Sequence, residues 1–118
     1  MDNFIYVMFI HWVSDFILQE RKIVETKSKN IIALLQHTSI YSLAMMFGMF
    51  LLNPDGVKVM NFMCITFLAH TITDYITSKV SSYYYQEDKI HSFWCTVGFD
   101  QWLHFLQLYL TYKFLYLT

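Results

Sequence analysis

Backbone breakers are scarce in this chain: three Gly and one Pro among 118 residues. So few points where the backbone can turn sharply predict long helices. Charge is scarce as well. Only 14% of the residues are charged, while 56% are hydrophobic and 19% aromatic, which is more apolar than an ordinary soluble domain. The chain shows no basic face, which excludes nucleic acid as a partner. Cysteine is limited to Cys64 and Cys95, each alone within an apolar run. That spacing excludes a disulfide framework or a zinc finger and predicts two small buried hydrophobes. The N-terminus lacks a basic leader, and Asp15 interrupts its apolar run early, so no cleaved signal peptide is expected. A length of 118 residues suits a single domain.

What the chain has instead is four apolar segments, at about residues 4–18, 31–52, 57–78 and 93–117. The second, IIALLQHTSIYSLAMMFGMFLL, runs 22 residues without a formal charge, long enough to cross a bilayer. Asn53-Pro54-Asp55-Gly56 follows, where Pro sets φ and Gly permits a positive φ, predicting a tight turn and a helical hairpin. Two polar stretches, 19–30 and 79–92, separate the remaining segments. The first reads as a loop or a short surface helix. The second carries Tyr83, Tyr84 and Tyr85, which suit a membrane interface. The expected architecture is all-α: a four-helix transmembrane bundle in one domain, residues 1–118. The rival is a soluble bundle with a greasy core. A soluble helix should carry a polar outer stripe, and 31–52 offers only Gln36, His37, Thr38, Ser39 and Ser42, all near one end.

Each apolar segment also carries metal-ligand residue types. His11 and Asp15, His70 and Asp74, and, in reverse order, Asp100 and His104 stand four apart, and His37 stands alone in the second segment. Residues four apart share a helix face. If all four segments span, the two polar connections lie on one side. They hold Arg21, Lys22, Lys27, Lys29, Lys79 and Lys89, against Lys58 and Lys113 on the other. The positive-inside rule then places both connections in the cytoplasm and both termini outside, in a bacterial inner membrane. Counting along the helices at 1.5 Å per residue, all seven His and Asp positions fall roughly 6 to 17 Å from that same face. Residues scattered at random over four segments would not usually share one layer.

A buried Asp in a membrane helix costs about 2.5 to 3.5 kcal/mol unless it is partnered. The basic residues lie almost wholly outside the spans, so divalent cations are the natural partners for three carboxylates and four imidazoles. Seven ligands are too many for one tetrahedral ion and suit two, leaving positions for water and substrate. Mixed His/Asp ligation fits zinc, manganese or iron. The candidate metal ligands are therefore His11, Asp15, His37, His70, Asp74, Asp100 and His104. Asp100 and Asp74 are candidates for a general base, and Gln101 for positioning a water or a substrate oxygen. A metal-free polar network, such as a proton relay, is the competing reading. His91 reads as solvated, Gln19 as a helix cap, Lys79 as snorkelling to the headgroups, and Lys27 and Lys29 as topology determinants. Trp12, Trp94 and Trp102 read as bundle or interface anchors.

The string His11-Trp-Val-Ser-Asp15-Phe-Ile-Leu-Gln19, then His37, then His70-x-x-x-Asp74, then Asp100-Gln101-x-x-His104 resembles a domain-of-unknown-function family of small bacterial and phage membrane proteins. The resemblance covers essentially the whole chain. It implies an integral membrane protein with a metal site and one further Lys, a position that Lys27 or Lys29 would fill. In motif style it is more loosely similar to bacterial membrane-bound metal-dependent hydrolases. The function expected from all this is a metal-dependent hydrolase, holding two divalent ions and acting on a phosphoester or ester, with a lipid or lipid-linked substrate, at the cytoplasmic face. The alternatives are a non-enzymatic metal or proton handler, and a phage membrane effector that binds a host protein. The residues give no argument for or against pairing with a second copy.

Overall fold

The computed structural model describes residues 2–118. Helix α1, Asp2–Trp12, runs straight into a π-helical turn, Val13–Ile17. A short α2, Arg21–Thr26, precedes α3, Ile31–Leu52, then α4, Gly56–Gln86, and α5, Ile90–Tyr116. There is no strand among the described residues. The fold is all-α. α5 packs along α4, α4 along α3, and α1 rests on α3 and touches α5.

The ends of these helices have local causes. Asn30 caps α3, its side chain accepting from Ile32 N–H at 2.9 Å. Asp55 caps α4, accepting from Val57 N–H at 3.1 Å and Lys58 N–H at 3.2 Å. The turn at Asn53–Gly56 therefore works through Asp55. Gly56 is the first helical residue, and none of the glycines has a positive φ. Positive φ falls instead on Asp88, at 57°. Asp88 closes α4 with Lys89 N–H on Tyr84 C=O at 2.9 Å and Asp88 N–H on Tyr85 C=O at 3.2 Å, the double hydrogen bond of a left-handed helix stop.

The connection expected at 79–92 is thus corrected. α4 continues to Gln86 and only a short turn separates it from α5. Polarity in SSYYYQ signals exposure rather than a helix end, because nothing in that run breaks a helix. At 19–30 the structure has the short exposed helix α2, with no buried residue.

Two helices, α3 and α4, are long and apolar enough to cross a membrane. The helical stretch Asn3–Ile17 is apolar but short. α5 is long, but Asp100, Gln101, His104, Gln107 and Lys113 dilute its hydropathy. The polarity of α3 is turned inside out. It buries His37, Thr38, Tyr41 and Ser42, and exposes Ile31, Ile32, Leu35, Leu43, Phe47, Phe50 and Leu51. Cys64 and Cys95 are exposed on α4 and α5, contrary to expectation. Trp12, Trp94 and Trp102 also point outward.

The apolar core, with Val7, Ile10, Met45, Met49, Val59, Phe62, Leu108 and Tyr112, occupies the half of the molecule nearer the Asn53–Asp55 turn. Gly48 sets the approach of α1 to α3: a Cβ there would lie 2.6 Å from Ile10 Cδ1, and Tyr6 O–H donates to Gly48 C=O at 3.1 Å. This contact fixes how far α1 sinks into the bundle, and therefore where Asp15 stands.

Candidate metal centre

Above the apolar core, four elements each turn a ligand-type side chain inward. The π turn presents Asp15, α3 presents His37, α4 presents His70 and Asp74, and α5 presents Asp100 and His104. All except Asp100 are buried, and Asp100 keeps 15% of its side chain exposed. The π turn widens the helix by one residue just at Asp15, and π turns often mark functional positions.

Four atoms converge first: Asp15 Oδ1, His37 Nε2, His70 Nε2 and Asp74 Oδ2. His37 Nε2 lies 3.1 Å from Asp15 Oδ1 and 2.9 Å from Asp74 Oδ2. His70 Nε2 lies 3.5 Å from Asp15 Oδ1, 3.4 Å from Asp74 Oδ2 and 3.3 Å from His37 Nε2. A regular tetrahedron of ligands at metal–nitrogen bond length has edges of about 3.3 Å. These five edges lie near that figure and the sixth, between the two carboxylate oxygens, is within 4.8 Å, so the four residues could hold one ion. Two imidazole Nε2 atoms that face each other at 3.3 Å while both Nδ1 atoms lack a partner are also awkward as a purely hydrogen-bonded pair.

A second group shares Asp74. His104 Nε2 lies 3.1 Å from Asp74 Oδ1 and 3.2 Å from Asp100 Oδ1. Asp74 thus turns one carboxylate oxygen to each group, and Asp74, Asp100 and His104 could hold a second ion between them.

His11 has other partners. Its Nδ1 meets Tyr41 Oη at 2.7 Å and its Nε2 meets Gln101 Oε1 at 3.0 Å. A carboxamide oxygen only accepts, so His11 Nε2 donates and Nδ1 of the neutral ring accepts the Tyr41 proton. The i,i+4 distance from His11 Nε2 to Asp15 Oδ2 is 4.0 Å. His11 therefore supports Gln101 rather than joining either convergent group. Gln101 Nε2 in turn reaches Asp100 Oδ2 at 3.2 Å and Asp15 Oδ2 at 3.4 Å, tying the two groups together. Gln19 Nε2 donates to Ser14 C=O at 2.6 Å and His37 C=O at 3.4 Å, so it joins the end of the π turn to α3.

Sequence reasoning passed over several participants. Tyr41 stacks on His70, ring centroids 3.9 Å apart, and His70 stacks on His104 at 4.2 Å. Tyr41 stands four residues after His37, a spacing that could have flagged it. Thr77, three after Asp74, donates to Asp100 Oδ1. Gln107, three after His104, donates to Thr73 Oγ1 at 2.6 Å. Lys27 is different. It comes from the connection after α2, and its Nζ donates to Asp74 Oδ2 at 3.0 Å. Burial lowers the pKa of this ammonium, but the carboxylates of Asp74 and Asp15 outweigh burial and hold it above the ordinary lysine value, so it stays a cation. Lys79 leans on the Tyr75 ring and donates to Ser28 C=O at 3.0 Å, pinning the same connection. His91 is exposed.

Fold and site together define an all-helical protein with a buried His/Asp cluster that could hold metal, and with two helices able to cross a membrane by length and composition. The chain belongs to the family described as "Protein of unknown function (DUF3307)", which matches residues 3–118. Comparison with curated proteins and with solved structures finds no match.

Proposed function

We propose that this protein is a membrane metallohydrolase that holds two divalent ions and cleaves a phosphoester or ester at the cytoplasmic face of a bacterial inner membrane. The observation that carries the metal reading is the convergence of Asp15, His37, His70 and Asp74, with five of six ligand-atom separations at 2.9 to 3.5 Å. That set has the full ligand count of a closed, structural type of site. Asp74, Asp100 and His104 supply three ligands, the count of a catalytic site that keeps a position open. Divalent ions there would supply a water acidified toward neutrality and a polarised ester oxygen. Asp74 uses an oxygen on each group, so Asp100, partly exposed and braced by Gln101 and Thr77, would double as ligand through Oδ1 and general base through Oδ2.

The membrane reading is supported by the outward apolar face of α3 and by the apolar length of α3 and α4. Our reading is that α1, α3, α4 and α5 form the bundle, with α2 and the Glu87–Lys89 turn in the cytoplasm beside the basic residues. A transport reading needs a polar path through the bundle. Val7, Met45, Met49, Val59 and Phe62 fill the half beyond the cluster with apolar side chains, which favours chemistry at one face.

The test is metal content of detergent-purified protein by elemental analysis, with phosphoester hydrolysis measured alongside. Wild type should hold about two ions per chain. His37→Ala should lose one, His104→Ala should lose the other along with hydrolysis, and Asp74→Ala should lose both. Folded wild type that takes up no metal on reconstitution would sink the proposal.

A further inference from the structure

Lys27 stands at the oxygen most crowded by the cluster. Its Nζ lies 3.0 Å from Asp74 Oδ2, which His37 Nε2 also approaches at 2.9 Å. The bland role for Lys27 is to pin the α2 connection or to neutralise Asp74. Pinning is already provided by Lys79 on Ser28 C=O and by Gln19 on His37 C=O. Neutralisation fits the site without metal or with one ion, but not with two. Three carboxylates against Lys27 leave two negative charges, and one divalent ion would cancel them. A second ion leaves two positive charges in a low-dielectric site, to which the lysine itself contributes. An excess of that size calls for an anionic ligand. Lys27 is also placed to meet one from outside: its side chain is 19% exposed, whereas that of Asp74 is 2% exposed.

We infer that Lys27 is an anion-binding residue of this site, and that the ligand it holds is a phosphate monoester carrying two negative charges rather than a neutral carboxylic ester. The inference rests on the two-ion reading above and narrows its substrate class. An ammonium has three donors, so Lys27 can keep Asp74 while donating to a phosphoryl oxygen. A neutral ester would offer this lysine only an uncharged carbonyl acceptor and would leave the positive excess uncompensated. The phosphate could belong to a lipid headgroup or to a water-soluble monoester, and both present the same dianion.

The experiment uses the full chain in detergent, reconstituted with zinc or manganese, its metal content measured before any phosphate is added. Binding of inorganic phosphate and of dihexanoyl phosphatidic acid is then followed by titration calorimetry. Wild type should bind phosphate. Lys27→Gln should keep both ions and bind phosphate at least about tenfold more weakly, the loss of one charge-assisted hydrogen bond. Lys27→Arg should recover affinity to within about threefold of wild type, since the charge is kept and only its geometry changes. Lys29→Gln, on an exposed neighbour, should bind as wild type does. Tighter binding of phosphatidic acid assigns the lipid source, and equal binding assigns the soluble one. The inference is overturned if metal-loaded wild type binds neither form, if Lys27→Gln binds as tightly as wild type, or if Lys27→Gln loses its metal and so marks the lysine as structural. Wild type that takes up no metal at all overturns the two-ion reading itself, and the metal analysis identifies that outcome separately.

Discussion

His11 shows how one residue's role depends on what approaches it. Four positions from Asp15, it has the spacing of a bidentate ligand pair. In the fold its two nitrogens engage Tyr41 and Gln101 instead. Gln101 then contacts both Asp15 and Asp100. The expected consequence is a split between two histidine variants. His70→Ala should lose an ion. His11→Phe should keep both ions and lower hydrolysis, because Gln101 loses its anchor while the convergent atoms stay in place. Elemental analysis beside a turnover assay separates the two. An ion lost from His11→Phe would make His11 a ligand after all.

At the level of the helices, the site depends on how deeply α1 sits. Asp15 is the one member of the two convergent groups that comes from the N-terminal helical stretch, and Gly48 on α3 sets the depth of that stretch. Small residues allow close helix approach of this kind in membrane bundles. A valine side chain at Gly48 would meet Ile10 from a starting distance of 2.6 Å at its Cβ, so it must push α1 away. Overpacking of this sort costs about 1 to 3 kcal/mol. Gly48→Val should therefore unfold at lower temperature in detergent and, under the proposed two-ion reading, lose the ion assigned to the group that contains Asp15. It should keep the one held by Asp74, Asp100 and His104, which stand on α4 and α5. Retention of both ions would mean that α1 does not position the site. The π turn belongs to the same level. It is a local rearrangement of VSDFI that orients Asp15 toward His37 rather than back along its own helix to His11.

The whole molecule is apolar on its outside, and in the half around the cluster it is polar within. Hydroxyls, imidazoles and carboxylates lie inside, while Phe47, Leu51, Leu68, Ile72 and Phe114 lie outside. In water such an outer surface would be an aggregation liability, whereas in lipid it is matched to its surroundings. The basic residues of the α2 connection and of the far end of α4 gather at one end, held together by Lys79 on Ser28. The expected topology has that end in the cytoplasm. Single cysteines placed in a chain lacking Cys64 and Cys95 test it: residues Lys22 and Asp88 should be shielded from a membrane-impermeant thiol reagent in intact cells, and Asp55 should be labelled. The reverse pattern would move the site to the other face.

The sequence alone determined that the chain is helical and apolar, and it marked out the seven candidate His and Asp positions. Both follow from composition and from a period of 3.6 residues, which are local properties. It also indicated one layer for those residues, because depth along a helix can be counted. The same periodicity could have flagged Tyr41, Thr77 and Gln107, each one turn from a marked residue. Local pattern failed where the outcome depended on partners far apart in the chain. Polarity at 79–92 read as a connection, whereas α4 continues through it to Gln86 and ends at the Asp88 stop. Whether His11 is a ligand or a brace depended on Tyr41 and Gln101, 30 and 90 residues away. Lys27 reaches Asp74 across 47 residues from a solvated connection, where no period links the two. Only tertiary packing could place that ammonium against that carboxylate. A lysine on a polar stretch carries no signal of its target until the helices around it are assembled.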